Sequence, residues 1–160
     1  MSFQVRAITP ADDTFLMCLY GDTREDELSQ AGNLTPEQKA AFVEMQYLAQ
    51  TRYFQDKYPN ASFDLLLVGS TPIGRRYVDR QKEVIHIIDL TLKPERRGNG
   101  IGTKIMNEIM EEAREKKLVI TLYLQKTEKC WNLFERMGFR SIADDGVNFL
   151  MELDPQNCPG

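Results

Sequence analysis

Val84-Ile85-His86-Ile87-Ile88-Asp89-Leu90-Thr91-Leu92, followed by Lys93-Pro94-Glu95-Arg96-Arg97-Gly98-Asn99-Gly100-Ile101-Gly102-Thr103-Lys104, is the stretch from which the rest of the chain is read. Its first half is a near-continuous apolar run, the pattern of a strand buried on both faces. Its second half gathers three glycines and four basic groups against one acid. Behind it, Ile101, Ile105, Ile109 and Ala113 recur every four residues with Met106 and Met110 beside them, which predicts a helix over 101–116. Strand, glycine turn and helix form an anion-binding order. Glycines let a ligand approach the backbone, and a helix start offers unpaired N–H donors and a positive dipole end. Arg97 adds a forked cation and Thr103 a hydroxyl, both suited to phosphate oxygens.

The plainer alternative is a tight turn with a helix cap, and two familiar nucleotide loops fit poorly. A Walker loop needs lysine directly after its last glycine, whereas here Gly102-Thr103-Lys104 misplaces it. A dinucleotide fingerprint needs Gly-x-Gly-x-x-Gly early in a parallel sheet and an acid on the next strand. The spacing here is Gly-x-Gly-x-Gly, nearly two-thirds along the chain, and 119–124 carries no acid.

Working outward, residues 3–8 read as a strand, 10–20 as a helix opened by Pro10, and 22–34 as a loop or broken helix. Thr35-Pro36-Glu37-Gln38 is a capping box that starts a long helix to about 57. Phe42, Met45, Ala49 and Tyr53 are expected to be its buried stripe. Residues 65–68 and 73–78 form an expected hairpin around Gly69-Ser70-Thr71-Pro72. Strand 119–124, helix 128–137 and closing strands 139–143 and 147–153 follow. The fold class is α+β, an α/β/α sandwich. Residues 1–153 form one domain and 154–160 a frayed tail.

Composition bounds the function. The chain has 160 residues, 42% apolar and 28% charged, the balance of one globular domain. Twenty basic against twenty-four acidic side chains argue against a nucleic-acid binder. No apolar run reaches the roughly 20 residues that span a bilayer, and the N-terminus lacks a secretory h-region, so no membrane partner is expected. Cysteines 18, 130 and 158 are odd in number and scattered, which argues for a reducing, cytoplasmic setting. With His86 the single histidine, no metal site is expected. The first 60 residues hold five Lys or Arg and nine Asp or Glu, whereas the last hundred balance at fifteen each. Asp22, Glu25, Asp26 and Glu27 lie in that acidic part, which points to a cationic acceptor such as an amine, polyamine or peptide amino group.

Arg97-x-x-Gly100-x-Gly102 resembles the Arg/Gln-x-x-Gly-x-Gly/Ala motif of the GNAT N-acetyltransferase superfamily. Leu92-x-Pro94 before it and Leu133-Phe134-Glu135-Arg136-Met137-Gly138-Phe139 after it resemble that family's flanks. The similarity covers about residues 63–153. It implies a mixed, mostly antiparallel sheet with a splay between the 84–92 and 119–124 strands, and acetyl-CoA as cosubstrate. The pyrophosphate would lie on backbone N–H groups of Arg97, Gly98, Asn99, Gly100, Gly102 and Thr103. The pantetheine would run beside Leu90 and Leu92, with an N–H near Leu90 as oxyanion donor. The implied reaction moves an acetyl group to a primary amine of a small molecule or peptide in a ternary complex. The reading admits a homodimer.

A base must deprotonate the ammonium, and an acid can protonate the departing thiolate. Asp89 and His86 are the candidate bases. Three residues apart on one strand, they are expected on opposite faces of the sheet. Many family members place an acidic tyrosine where this chain has Phe134, which cannot donate a proton. Tyr123, Tyr53 or Cys130 would have to substitute, or the thiolate leaves unassisted. Phe134 also favours the alternative of a catalytically weak or inactive acyl-CoA-binding regulatory module. Gln46 and Tyr53, on the long helix, are the expected acceptor-pocket residues, with Gln50 one turn on from Gln46.

Overall fold

The computed structural model describes residues 2–126 and 131–157. Among these, seven strands form one sheet: β1 (Gln4–Ala7), β2 (Ser62–Val68), β3 (Thr71–Arg80), β4 (Val84–Leu92), β5 (Val119–Gln125), β6 (Arg140–Asp144) and β7 (Asn148–Leu153), in the order β1-β2-β3-β4-β5-β7-β6. Every neighbouring pair is antiparallel except β4 and β5. That parallel pair requires a crossover, which α4 (Ile101–Lys116) supplies. α1 (Asp13–Thr23), α2 (Glu25–Gln30) and α3 (Pro36–Lys57) precede β2, and α5 (Trp131–Met137) follows β5. The mixed, mostly antiparallel α+β sandwich is the expected one.

Two apolar cores lie on the two faces of the sheet. On one, Leu16 and Tyr20 of α1 and Tyr47 of α3 cover Leu65 and Leu67. On the other, Ile101, Ile105, Met106, Ile109 and Ala113 of α4 cover the alternate residue Leu66 together with Ile73, Ile85, Ile87 and Ile120. Leu65, Leu66 and Leu67 thus divide by period two between the layers.

The capping box of α3 forms as expected, with Thr35 N donating to Gln38 Oε1 at 2.9 Å and Gln38 N to Thr35 Oγ1 at 3.1 Å. Its buried stripe does not. Met45 and Tyr53 are 57% and 53% exposed, and Ala49 is exposed too. Val43, Tyr47, Gln50 and Phe54 face the sheet instead. Apolar residues occupy both sides of α3, and periodicity alone could not say which side the sheet takes.

The tail also differs from expectation. Residues Pro155–Asn157 form a 3-10 turn, Pro155 is buried, and Gln156 Nε2 donates to the Ala113 and Arg114 carbonyls at 3.3 Å each. Those carbonyls also accept from the backbone N–H groups of Lys117 and Leu118 at the end of α4, so the Gln156 amide adds a further donor to each. The described structure therefore extends to Asn157, and the remainder of the expected frayed tail lies outside the described residues, as do Cys130 and Cys158.

Gly74 sets the approach of β3 to β4. A Cβ there would sit 2.3 Å from the Thr91 carbonyl oxygen and 3.0 Å from a Leu92 methyl. Gly74→Ala is expected to displace the end of β4, where the glycine loop begins. Chemical denaturation should register a loss of about 1–3 kcal/mol, the usual cost of overpacking.

Candidate active site

β4 and β5 pair only from Val84↔Val119 to Ile87↔Leu122. Beyond that point β4 stays bonded to β3 as far as Gly74↔Leu92, and β5 to β7 as far as Gln125↔Asn148. The two central strands therefore part, as the splay predicts, and their facing backbone edges open into a cavity of about 860 Å³. Its floor is β4 from Ile87 to Thr91 with Leu122 to Gln125 of β5. One wall is Gly98, Gly100, Gly102 and Thr103, and the opposite wall is Tyr20, Thr23, Arg24 and Glu27 with Gln50 and Phe54 of α3.

Gly98 and Gly100 adopt left-handed conformations, with φ of 78° and 81°. Gly100 is the N-cap of α4. A Cβ added at either would meet nothing within 4 Å, so bare backbone faces open space at a helix start. Of the other expected loop residues, Leu90 lines the cavity, whereas Arg97, Asn99 and Leu92 are not among its walls. Arg97 Nε donates to the Leu92 carbonyl at 3.2 Å and braces the loop.

A β-bulge corrects the expected geometry of the candidate bases. Tyr77 pairs with Asp89 but Val78 pairs with Ile87, leaving Ile88 as an extra residue. The bulge resets the alternation. His86 and Asp89 therefore share the face covered by α3, not opposite faces. Asp89 lines the cavity, and its Oδ2 accepts from Arg75 Nε and from Thr91 Oγ1 at 2.9 Å. Its Oδ1 has no hydrogen-bond partner among the described residues. Arg75, 4% exposed, also donates through Nη2 to Gln50 Oε1 at 2.8 Å and lies 4.6 Å from the Tyr77 ring centre. Burial pushes the Tyr77 phenol up to about 12, so it stays protonated at neutral pH.

His86 is not in the cavity wall. It stacks on Tyr58, with ring centres 5.5 Å apart, and lies within bonding distance of Thr121 Oγ1 (2.8 Å) and Tyr58 Oη (3.3 Å). Tyr123, which itself lines the cavity, stands edge-on to it at 5.4 Å. Burial first, and the Lys57 ammonium second, hold the His86 imidazole below its ordinary pKa. The unfolded imidazole takes up a proton near its usual value of about 6.5, while the folded one resists. Stability is therefore expected to be complete above about pH 6.5 and to fall as pH drops through that value. Melting curves between about pH 8 and pH 5 should show the decline, and His86→Asn should flatten it.

Gln46 and Tyr53, the expected acceptor residues, do not line the cavity; Gln50 and Phe54 do. Tyr53 accepts a hydrogen bond from Lys57 Nζ at 3.0 Å and lies on the exposed side of α3. Of the four N-terminal acids, Glu27 alone reaches the cavity, where it accepts from Arg24 Nη1 at 2.9 Å. Among the described residues, the cavity's charged walls are thus two arginines and two carboxylates, in pairs. Neither Arg75 nor Arg24 is among the residues singled out from the sequence. Phe134 lines the cavity with its ring edge-on to Phe139 at 5.5 Å. Among the described residues no cluster of His, Cys, Asp and Glu could hold a metal, and no helix is long and apolar enough to cross a membrane.

No curated protein matches the chain in sequence. Among solved structures it is similar to PaiA N-acetyltransferase from Thermoplasma acidophilum in complex with coenzyme A, at 21% identity and a TM-score of 0.68, covering 96% of this chain and 99% of that one. It is also similar to the ribosomal-protein-S18-alanine N-acetyltransferase from Escherichia coli, at 10% identity and 0.62, covering 99% and 97%. A GNAT family acetyltransferase from Elizabethkingia anophelis with acetyl-CoA bound is similar at 13% and 0.57, covering 95% and 97%. At these identities the likeness is one of fold. The model of the Acetyltransferase (GNAT) family matches residues 25–139, well over half of the sequence and including the parted strands, the glycine loop and the Phe134 segment. The chain belongs to the GNAT acetyltransferase family.

Proposed function

We propose that this protein transfers an acetyl group from acetyl-CoA to a primary amine of a small molecule or peptide, directly and in a ternary complex. The observation that carries the reading is one cavity joining a left-handed glycine loop, the open edges of two parted strands and a carboxylate with a bare oxygen. Two of the similar structures are named as complexes with coenzyme A or acetyl-CoA, which supports it.

Acetyl-CoA supplies an acetyl group activated as a thioester. Backbone N–H groups from Gly98 to Thr103, at the α4 N-terminus, suit its diphosphate. The open edge of β4 suits a peptide-like arm, as in strand addition. A backbone N–H near Leu90 serves as oxyanion donor. Asp89 Oδ1 receives the ammonium proton, directly or through water, and Arg75 and Thr91 hold that carboxylate in place. Phe134 donates no proton, so Tyr123, which lines the cavity on β5, is the proposed acid; alternatively the thiolate departs alone, its basicity being modest (thiol pKa of about 8.5). Phe134 also supports a second reading, an acyl-CoA-binding regulatory module with weak or no turnover.

Thermal shift with acetyl-CoA, CoA, ATP and NAD tests the ligand. Acetyl-CoA at a hundredfold excess over its Kd should add about 2.7 kcal/mol of stability. A shift with ATP or NAD and none with either CoA species would overturn the reading.

A further inference from the structure

We infer that the acceptor carries a carboxylate beside its reacting amine, and that Arg24 binds this carboxylate. The inference rests on the acetyltransferase reading and names its substrate class. A polycation would be met by a cavity with surplus acid. Among the described residues, Asp22, Glu25 and Asp26 lie outside the walls, and the charged side chains inside are Arg24, Arg75, Glu27 and Asp89, which sum to zero.

The two pairs differ in what they can release. Arg75 is buried and two of its nitrogens are committed to Asp89 and Gln50, so its part is to position the base. Arg24 is anchored at one edge by Nε donating to Tyr20 Oη at 3.0 Å. Its Nη1 holds Glu27, whose side chain is 64% exposed, and its Nη2 has no partner among the described residues. An exposed pair three residues apart contributes at most about 1 kcal/mol, so Glu27 yields easily to a better acceptor. A carboxylate entering the cavity would find a planar fork whose outer edge is open, the geometry that suits bidentate binding. Its amine would then lie towards Asp89 on the β4 side. Both ends of an amino carboxylic acid meet their complement, whereas a diamine would set one ammonium against Arg24.

The test compares acceptors matched except for the carboxylate: the L-amino acids, β-alanine and 4-aminobutyrate against their carboxamides, with putrescine and spermidine. Amidation of an α-amino acid lowers its amine's pKa and favours the amide, so a slower amide isolates the carboxylate. The best amino acid is expected to exceed its amide by about ten- to a hundredfold in kcat/KM, the range for a charge-assisted bond. Arg24→Gln should erase that ratio and Arg24→Lys should keep part of it, both binding acetyl-CoA with unchanged affinity by calorimetry. Equal rates for acid and amide, or faster diamines, would overturn the inference. If acetyl-CoA does not bind, the acetyltransferase reading fails by itself. Calorimetric binding of the same amino acids, lost in Arg24→Gln, would then still support the carboxylate site, and no binding would end it.

Discussion

Gly100→Val is expected to weaken acetyl-CoA binding by at least about a hundredfold while the protein stays folded. Two costs combine. Gly100 sits at φ 81°, where a β-branched residue is strained by about 1–3 kcal/mol. Its Cβ and methyls would also project into the open space that bare backbone leaves for phosphate. Helix α4 should survive, because five of its side chains are buried against the sheet. Isothermal titration of acetyl-CoA into the variant reads the first effect and circular dichroism the second. Gly100→Ala separates the terms, since it strains the backbone with less bulk. Unchanged affinity in Gly100→Val would mean the loop is merely a turn with a cap.

Asp89→Asn is expected to cut turnover by about a hundredfold or more, the usual reach of general base catalysis. It should also lower stability, because it strips the counter-charge from Arg75, which is 4% exposed. Removing one partner of a fully buried pair costs about 3–5 kcal/mol, and a carboxylate about a quarter exposed brings that to about 2–3. Adding Arg75→Met should restore much of the stability, since an apolar side chain then replaces an uncompensated charge. It should not restore turnover. That divergence distinguishes a base from a structural carboxylate. Acetyl-CoA affinity should change little in either variant, and normal turnover in Asp89→Asn would remove Asp89 from the mechanism.

The β4, glycine loop and α4 sequence was legible because each part carries its own strong signal: a near-continuous apolar run, three clustered glycines and a four-residue repeat. Ile88 shows where such signals end. As one isoleucine among apolar neighbours it bears no mark of a bulge, yet the bulge brings His86 and Asp89 to one face. The long helix shows a second limit. Its stripe through Met45 and Tyr53 and its stripe through Val43, Tyr47 and Phe54 are both apolar, and only the sheet beneath chooses between them. Arg75 shows a third. Beside Arg76 in sequence it reads as a solvated charge, and its partner Asp89 arrives through strand pairing between β3 and β4.

Acetyl transfer itself is tested most directly by following CoA thiol release and acetylated amine together, with wild-type protein and a panel of primary amines. Each thiol released is expected to be matched by one N-acetylated product, with rates that depend on both substrates at once. Saturable acetyl-CoA binding without product from any amine would contradict acetyl transfer and assign the cavity to a binding module.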